Sequence, residues 1–304
     1  MRLLFTVAFG CALTAAATTQ VPSFKSTVEL VTVPIAVTNV TRDKLITGGL
    51  TAADFRVFED GVQQQVSLFS QDRRATSLCI VVDASGSMAS ARRHDLGIAA
   101  LQHTVRGLEK GDEVAIVRFA DEVTTMMPWT REPDERRLSW RLDPGAGTVP
   151  NSSIADAVKA ALEVIDTASN PRRAILIISD GYENTSATAL SRVVTTRAQS
   201  EALVYAYGLA GPYERSPGGS QLTNILPAVV GDSGGVYLAI ASMPDAAAAG
   251  LTLLSEFKYQ YTLAYTPGKP LDGTYRRIKV EITVPDLLVR HRGGYLALPS
   301  REKP

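Results

Sequence analysis

The sequence predicts an α/β protein in which a doubly wound, mostly parallel sheet is flanked by a β-sandwich-like domain. Over residues 75–255, short continuous apolar runs alternate with amphipathic helical stretches, the pattern of a parallel sheet covered by helices on both faces. On either side, over residues 24–70 and 258–298, hydrophobic residues recur with a period of two, as in half-buried strands. The chain has 304 residues, 45% of them hydrophobic, which is enough apolar material for a substantial core.

The charge balance argues against two broad classes of protein. Basic and acidic side chains number 31 each, so the formal net charge is zero. A largely disordered chain combines low hydrophobicity with a high net charge, and this sequence has neither. Nucleic-acid binding is disfavoured as the main task, because neutralising phosphates takes a concentrated excess of Lys and Arg.

The N-terminus has the pattern of a signal peptide. Arg2 precedes an uncharged apolar run, Leu3 to Ala17, that ends in three alanines, as at a signal-peptidase site. The run is shorter than the ~20 residues of a membrane span. We therefore predict that residues 1–17 are a signal peptide, and that the mature chain has no transmembrane span. The protein is then exported: periplasmic, in the cell envelope or secreted. A permanent N-terminal anchor is the alternative.

Cleavage at that site would remove Cys11 and leave Cys79 as the single cysteine. One thiol cannot form an internal disulfide. Cys79 stands between Leu78 and Ile80 in an apolar run, which predicts a buried, unreactive thiol.

The segment 24–70 reads as strands. Val31, Val33, Ile35 and Val37 alternate with smaller or polar residues, and Asp60-Gly61 is a strong hairpin turn signal between the strands around residues 55–58 and 66–69.

The C-terminal segment 258–298 returns to the same alternation. Each flanking segment is small for a core of its own, so we expect the two to pair into one β domain with the α/β domain inserted between them. Separate sequential modules are the alternative.

Four continuous apolar runs in the central region predict buried strands: 78–82, 114–117, 174–178 and 203–207. Three stretches between or after them predict helices: 96–108, 154–165 and 190–202. In the second of these, apolar residues recur at the i, i+3, i+4 spacing of one buried helix face.

Two loops that follow predicted strands carry oxygen-bearing side chains. Asp83, Ser85 and Ser87 come directly after the first buried strand, and Asp180 follows the strand over 174–178. In an open parallel sheet, ligands bind beyond the carboxyl ends of the strands. Because every donor is an oxygen, the set suits a hard divalent cation such as Mg²⁺ or Mn²⁺. A helix cap and turn is the alternative for a single Asp-x-Ser-x-Ser loop.

The pattern Asp83-x-Ser85-x-Ser87 with a later Asp180-Gly181 resembles the von Willebrand factor type A domain, a Rossmann-like fold, and its metal-ion-dependent adhesion site. The flanking text, for example 55–61 and 259–267, is similar to exported bacterial proteins called "VWFA-related". The resemblance implies that Ser85 and Ser87 bind Mg²⁺ (or Mn²⁺ or Ca²⁺) directly and that Asp83 and Asp180 bind it directly or through water. It also implies an open coordination position for an exposed Asp or Glu of a protein partner.

The resemblance also implies a third metal-binding hydroxyl, from an intermediate loop in which this chain departs from the family pattern. The family has Gly-Gly-Thr in the intermediate loop, and this chain has Gly147-Thr148-Val149. In the family, the threonine stands four residues before the acidic residue that opens the next helix. Here that acidic residue is Asp156 and four residues back is Ser152. We therefore predict Ser152, with Thr148 as the alternative.

Catalytic motifs are missing from the sequence. No nucleophile elbow or phosphate-binding loop is present, and the chain has three histidines, none in a pattern typical of a base. We therefore predict an exported, non-enzymatic module that binds proteins through a divalent cation. The alternatives are a metal-assisted phosphohydrolase that uses Asp83, or a structural envelope protein with an empty site.

Two smaller patterns are open to more than one interpretation. Tyr259, Tyr261 and Tyr265 favour a sheet core over a sugar- or peptide-binding face. The arginines at 276, 277, 290 and 292 favour a solvated face over a site for an anionic partner.

Overall fold

The computed structural model describes residues 30–42, 44–131, 151–209 and 224–298. In chain order the strands are β1 (Val31–Asn39), β2 (Lys44–Leu45), β3 (Phe55–Glu59), β4 (Val62–Gln64), β5 (Val66–Ser70), β6 (Thr76–Asp83), β7 (Glu113–Phe119), β8 (Val123–Arg131), β9 (Arg172–Ser179), β10 (Leu203–Gly208), β11 (Tyr237–Ala239), β12 (Tyr261–Tyr265), β13 (Tyr275–Ile282), β14 (Leu287–His291) and β15 (Gly294–Leu296). The α-helices are α1 (Ala91–Arg106), α2 (Ile154–Asp166), α3 (Leu190–Gln199), α4 (Leu226–Val230) and α5 (Met243–Tyr259).

The central sheet has six strands in the order β11-β10-β9-β6-β7-β8. All neighbours are parallel except β7 and β8, which are antiparallel. The four predicted strands form its centre, and β6 is buried along its whole length. Together with the additional antiparallel sheets, this confirms the predicted fold class.

Helices cover both faces of this sheet. Helices α1 and α5 enclose one apolar core with the side chains that point to that face, and α2, α3 and α4 enclose a second core on the other face. Cys79 belongs to the second core and is fully buried. Burial raises the pKa of its thiol to about 12, so the cysteine is unreactive as expected.

The predicted helix bounds were wrong at several ends. Helix α1 begins at Ala91 rather than Leu96, because its first turn is polar and carries no apolar periodicity. Ser90 caps that turn by accepting a hydrogen bond from the Arg93 amide (3.4 Å). Helix α3 ends at Gln199 rather than Ala202. Strand β8 was not predicted, because it is an edge strand whose polar and apolar residues do not alternate and are mostly exposed or half-buried.

Two antiparallel sheets are built from the flanking segments. One has the order β14-β1-β12-β5, with β2 beside β1, and the other has the order β15-β13-β3-β4. Strand β1 pairs with β12, and β3 pairs with β13, so each sheet contains strands from both ends of the chain. Their inner faces share one core, which includes Tyr261 and Tyr265. The predicted domain boundaries, with an α/β domain over residues 75–255 inserted between the segments 24–70 and 258–298, stay a prediction.

The turn at Asp60-Gly61 forms, but one of its predicted strands was wrong. Asp60 and Gly61 have φ angles of 48° and 83°, as in a two-residue type I′ hairpin, and the turn joins β3 to β4 through the pair Glu59–Val62. The apolar strand β5 instead crosses to the other sheet and pairs with β12.

A buried carboxylate, Glu59 on β3, connects strands of the two antiparallel sheets. The carboxylate of Glu59 accepts hydrogen bonds from the hydroxyls of Tyr265 and Tyr295, both 2.8 Å, and from Nη1 of Arg276 at 3.1 Å. Arg276 is 1% exposed and Arg292 is 5% exposed. The expectation that these two arginines lie on a solvated face was therefore wrong, because their partners are distant in sequence.

No helix within the described ranges is long and apolar enough to cross a membrane. The predicted signal peptide, residues 1–17, lies outside those ranges.

Candidate metal site

Three loops meet at the carboxyl edge of the central sheet. Asp83 ends β6, and a 3₁₀ turn over Gly86–Ala89 follows it. The pairing of Val82 with Ile178 brings the end of β9, and hence Asp180, to the same edge. The third loop is attached at the end of β7, where the Ser153 amide and hydroxyl both donate to the Ala120 carbonyl, at 2.9 and 2.6 Å.

Asp83 is held by hydrogen bonds to both of its carboxylate oxygens. Oδ1 accepts from the Ser85 amide at 2.9 Å, and Oδ2 accepts from the Ser179 hydroxyl at 2.6 Å. The side chain is 2% exposed. Burial first, and then the neighbouring Asp180, raise the pKa of Asp83 to about 6. The buried carboxylates of Asp83 and Asp180 repel each other, and a bound cation would relieve that repulsion.

Two oxygen atoms at this edge are buried and have no hydrogen-bond partner within the described ranges: Oγ of Ser152 and Oδ2 of Asp180. Each residue is at most 4% exposed. Native structures rarely leave such atoms unsatisfied, and a metal ion is one partner that would satisfy them. The hydroxyls of Ser85 and Ser87 lie 3.0 Å apart, with Ser85 buried and Ser87 exposed.

The donor set fits a hard divalent cation. Within the described residues, no cluster of three or more His, Cys, Asp or Glu side chains is present, so two carboxylates must be supplemented by hydroxyls. Asp83, Asp180, Ser85, Ser87 and Ser152 are the residues that would hold the ion, and all their donor atoms are oxygens. When bound, the ion supplies a Lewis-acidic position for a further oxygen ligand.

One cationic side chain borders the site. Nη1 of Arg93 lies 3.7 Å from Oδ2 of Asp180 and donates to the Ser87 carbonyl at 2.6 Å. The sequence analysis did not single out Arg93, because helix α1 was expected to begin after it.

Asn184 positions Ser152, a role that was not predicted from the sequence. The Ser152 backbone N–H donates to Oδ1 of the Asn184 side chain at 2.7 Å, and the Asn184 backbone N–H donates to the Ser152 carbonyl at 3.1 Å. Nearby, Glu183 accepts from the Ala155 amide at 2.9 Å, and Asp156 accepts from the Thr188 amide at 2.9 Å. The first turn of α2 is thus hydrogen-bonded to the loop after Asp180. A run of polar residues after Asp180-Gly181 was the signal in the sequence.

Gly181 has a structural reason for following Asp180. Its φ angle is +86°, and a Cβ atom there would stand 2.1 Å from Oδ1 of Asn224. Only glycine combines this backbone conformation with such a close approach. The alternative hydroxyl, Thr148, lies outside the described residues.

Residues 78–183 match the family model of the von Willebrand factor type A domain. The chain therefore contains a von Willebrand factor type A domain, as the resemblance indicated. Domains of this type are modules that typically mediate protein interactions.

Several solved structures are similar to this chain. A von Willebrand factor type A protein from Catenulispora acidiphila has 13% identity and a TM-score of 0.50, over 81% of this chain and 73% of that one. Proximal thread matrix protein 1 from the mussel byssus has 16% identity and a TM-score of 0.51, over 66% and 51%. An aerotolerance-related membrane protein from Bacteroides fragilis has 20% identity and a TM-score of 0.46, over 60% and 98%. Similarity at this level of identity shows the fold alone. No curated protein matches the chain.

Proposed function

We propose that this chain is an exported, non-enzymatic module that binds a protein partner through a divalent cation. The cation is held by Asp83, Ser85, Ser87, Ser152 and Asp180. An exposed Asp or Glu of the partner completes its coordination. Mg²⁺ is the expected ion, with Mn²⁺ and Ca²⁺ as chemically similar substitutes.

The observation that carries this proposal is the pair of buried, unsatisfied oxygens, Ser152 Oγ and Asp180 Oδ2. Both belong to loops at the sheet edge where Asp83, Ser85 and Ser87 lie. Leaving a buried acceptor without a partner costs about 1–3 kcal/mol, more when it is charged. A cation at this edge would satisfy both atoms at once.

The local charge explains why an acidic ligand is favoured. Asp83 and Asp180 together balance the charge of a divalent ion, and Arg93 is 3.7 Å from Asp180. The loaded site then carries a net charge of about +1, which attracts a third carboxylate. A neutral amide gains much less from the same position.

The arrangement around Asp83 disfavours the phosphohydrolase alternative. Asp83 is 2% exposed and its carboxylate is held by the Ser85 amide and the Ser179 hydroxyl, so it is not presented to a substrate in solution as a nucleophile. Asp83 and His94 line a cavity of about 20 Å³, which is room for about one water molecule. A substrate cannot enter that space.

Water-proton relaxation of the Mn²⁺-loaded chain tests the proposal without a known partner. Acetate, the smallest model of an Asp or Glu side chain, should displace water from the bound ion and lower the relaxivity. Acetamide has the same shape without the charge and should leave it nearly unchanged. No Mn²⁺ binding, or equal effects of the two probes, would contradict the proposal.

The third hydroxyl can be assigned by Mn²⁺ titration of two variants. Ser152→Ala should lose most of the affinity, because it removes a buried donor at the site. Thr148→Val should retain it. A large loss in Thr148→Val alone would place the ligand in the other part of the loop.

A further inference from the structure

A second, positively charged site lies far from the predicted metal site. Strand β9 begins at Arg172 and ends at Ser179, so its amino end lies about 25 Å from the metal-site edge. There the base of the α/β sheet faces β1 and β12, and a narrow crease of about 40 Å³ separates them. Ten residues line it: Thr32, Pro34, Arg74, Pro171, Arg172, Arg173, Glu201, Leu203, Thr262 and Arg292.

The crease brings four arginines together with one carboxylate. Arg292 forms an ion pair with Glu201, whose side chain is 66% exposed, at 3.4 Å. Among the described residues, no carboxylate lies within ion-pair distance of Arg74, Arg172 or Arg173. The lining therefore carries about three uncompensated positive charges.

Arg172 is the most constrained of the four. It is 6% exposed, and its guanidinium donates through Nη1 to the Phe257 carbonyl, a neutral partner that does not balance its charge. Burial, and then the charges of Arg74 and Arg73, lower its pKa despite the opposing influence of Tyr205 and Asp112. Burying a charge without a counter-charge is costly.

Arg292 has an unsatisfied donor. Its Nη2 donates to the Thr32 carbonyl at 2.8 Å, but its buried Nε has no hydrogen-bond partner among the described residues. Arg292 follows β14, so its ion pair with Glu201 links the flanking sheet to the α/β domain.

We propose that this crease binds a small tetrahedral oxyanion, phosphate or sulfate, between the arginines. Guanidinium groups match such oxygens with paired, charge-assisted hydrogen bonds. A crease of about 40 Å³ has about three times the ~10–15 Å³ that one water requires, which favours a compact ion over a larger phosphorylated molecule. The bound anion would link the base of the α/β sheet to β1 and β12.

Calorimetric titration of the full chain with sodium phosphate and sodium sulfate tests this proposal. Ionic strength is held constant with sodium chloride, and EDTA keeps the metal site from contributing. Both oxyanions should bind and raise the melting temperature, whereas chloride should not. Asp180→Ala should bind phosphate as well as the wild type, which separates this site from the metal site.

Two variants change the affinity in opposite directions. Arg172→Gln should weaken phosphate binding about tenfold or more, since a charge-assisted hydrogen bond is lost. Glu201→Gln removes the opposing charge from an exposed position and should tighten binding severalfold, so the proposal stays testable even if Arg172→Gln folds poorly. Weaker or unchanged binding in Glu201→Gln, or no oxyanion binding by the wild type, would overturn the proposal. Equal affinity for glycerol 3-phosphate would overturn the assignment to a free oxyanion.

Discussion

Asp83→Asn should stabilise the metal-free protein at pH 7. The pKa of Asp83 is raised from 3.8 to about 6 in the folded state, by burial and then by Asp180. Since the folded state holds its proton more tightly than the unfolded state does, this group contributes stability that is fully present below pH ~4 and is lost as the pH rises through ~6. A shift of about two units corresponds to about 3 kcal/mol. Asparagine has the shape of the protonated acid and carries no charge at any pH.

Urea unfolding in EDTA measures this difference. At pH 7 the variant should exceed the wild type by about 3 kcal/mol in free energy of unfolding. At pH 4.5 the wild-type carboxyl is largely protonated when folded, so the gap should narrow to about 1 kcal/mol. Saturating Mg²⁺ should stabilise the wild type much more than the variant. A variant that is no more stable than the wild type at pH 7, or a gap that does not depend on pH, would refute the reasoning.

Three further predictions concern other parts of the structure. Glu59→Gln should lower the free energy of unfolding by about 3–5 kcal/mol, because it removes the buried charge that pairs with Arg276 and leaves that residue, among the described carboxylates, only the exposed Asp272 at 3.5 Å; urea unfolding checks this, and Glu281→Gln, at an exposed ion pair, should cost less than about 1 kcal/mol. Asn184→Ala should weaken Mn²⁺ binding about 10- to 100-fold in calorimetry, because the residue orients Ser152, while Thr195→Ala, at an exposed position of α3, should leave affinity unchanged. Arg93→Met should tighten Mn²⁺ binding severalfold in the same assay, because it removes a positive charge near Asp180; weaker binding would show that its bond to the Ser87 carbonyl matters more.

The sheet edge was predictable because it depends on local sequence and general topology. Continuous apolar runs mark the buried strands, and the carboxyl ends of parallel strands meet at one edge. Asp83 and Asp180 stand 97 residues apart, yet each follows such a run directly. The fold class and the type A domain are therefore confirmed, while the ligand set stays a prediction.

Features that depend on pairing between distant segments could not be predicted in this way. Arg276 shares the face of Ile278 and Val280 in β13, but an arginine is rarely buried unless it is paired, and its partner Glu59 lies 217 residues away. Asn184 carries no motif, and its role follows only from the position that Ser152 takes beside it. The first turn of α1 is polar, so the helix was predicted to begin after Arg93, and the position of this residue beside the metal site was not predicted.

Calorimetric titration of the full chain with Mn²⁺, beside Asp180→Asn, tests the central claim most directly. Asn keeps the size of the side chain at a fully buried position but removes one of the two charges that would hold the ion. We expect a single site on the wild type and the loss of nearly all affinity in the variant, with the circular dichroism spectrum unchanged. Equal Mn²⁺ affinity of the two folded proteins, or no binding by the wild type, would contradict it.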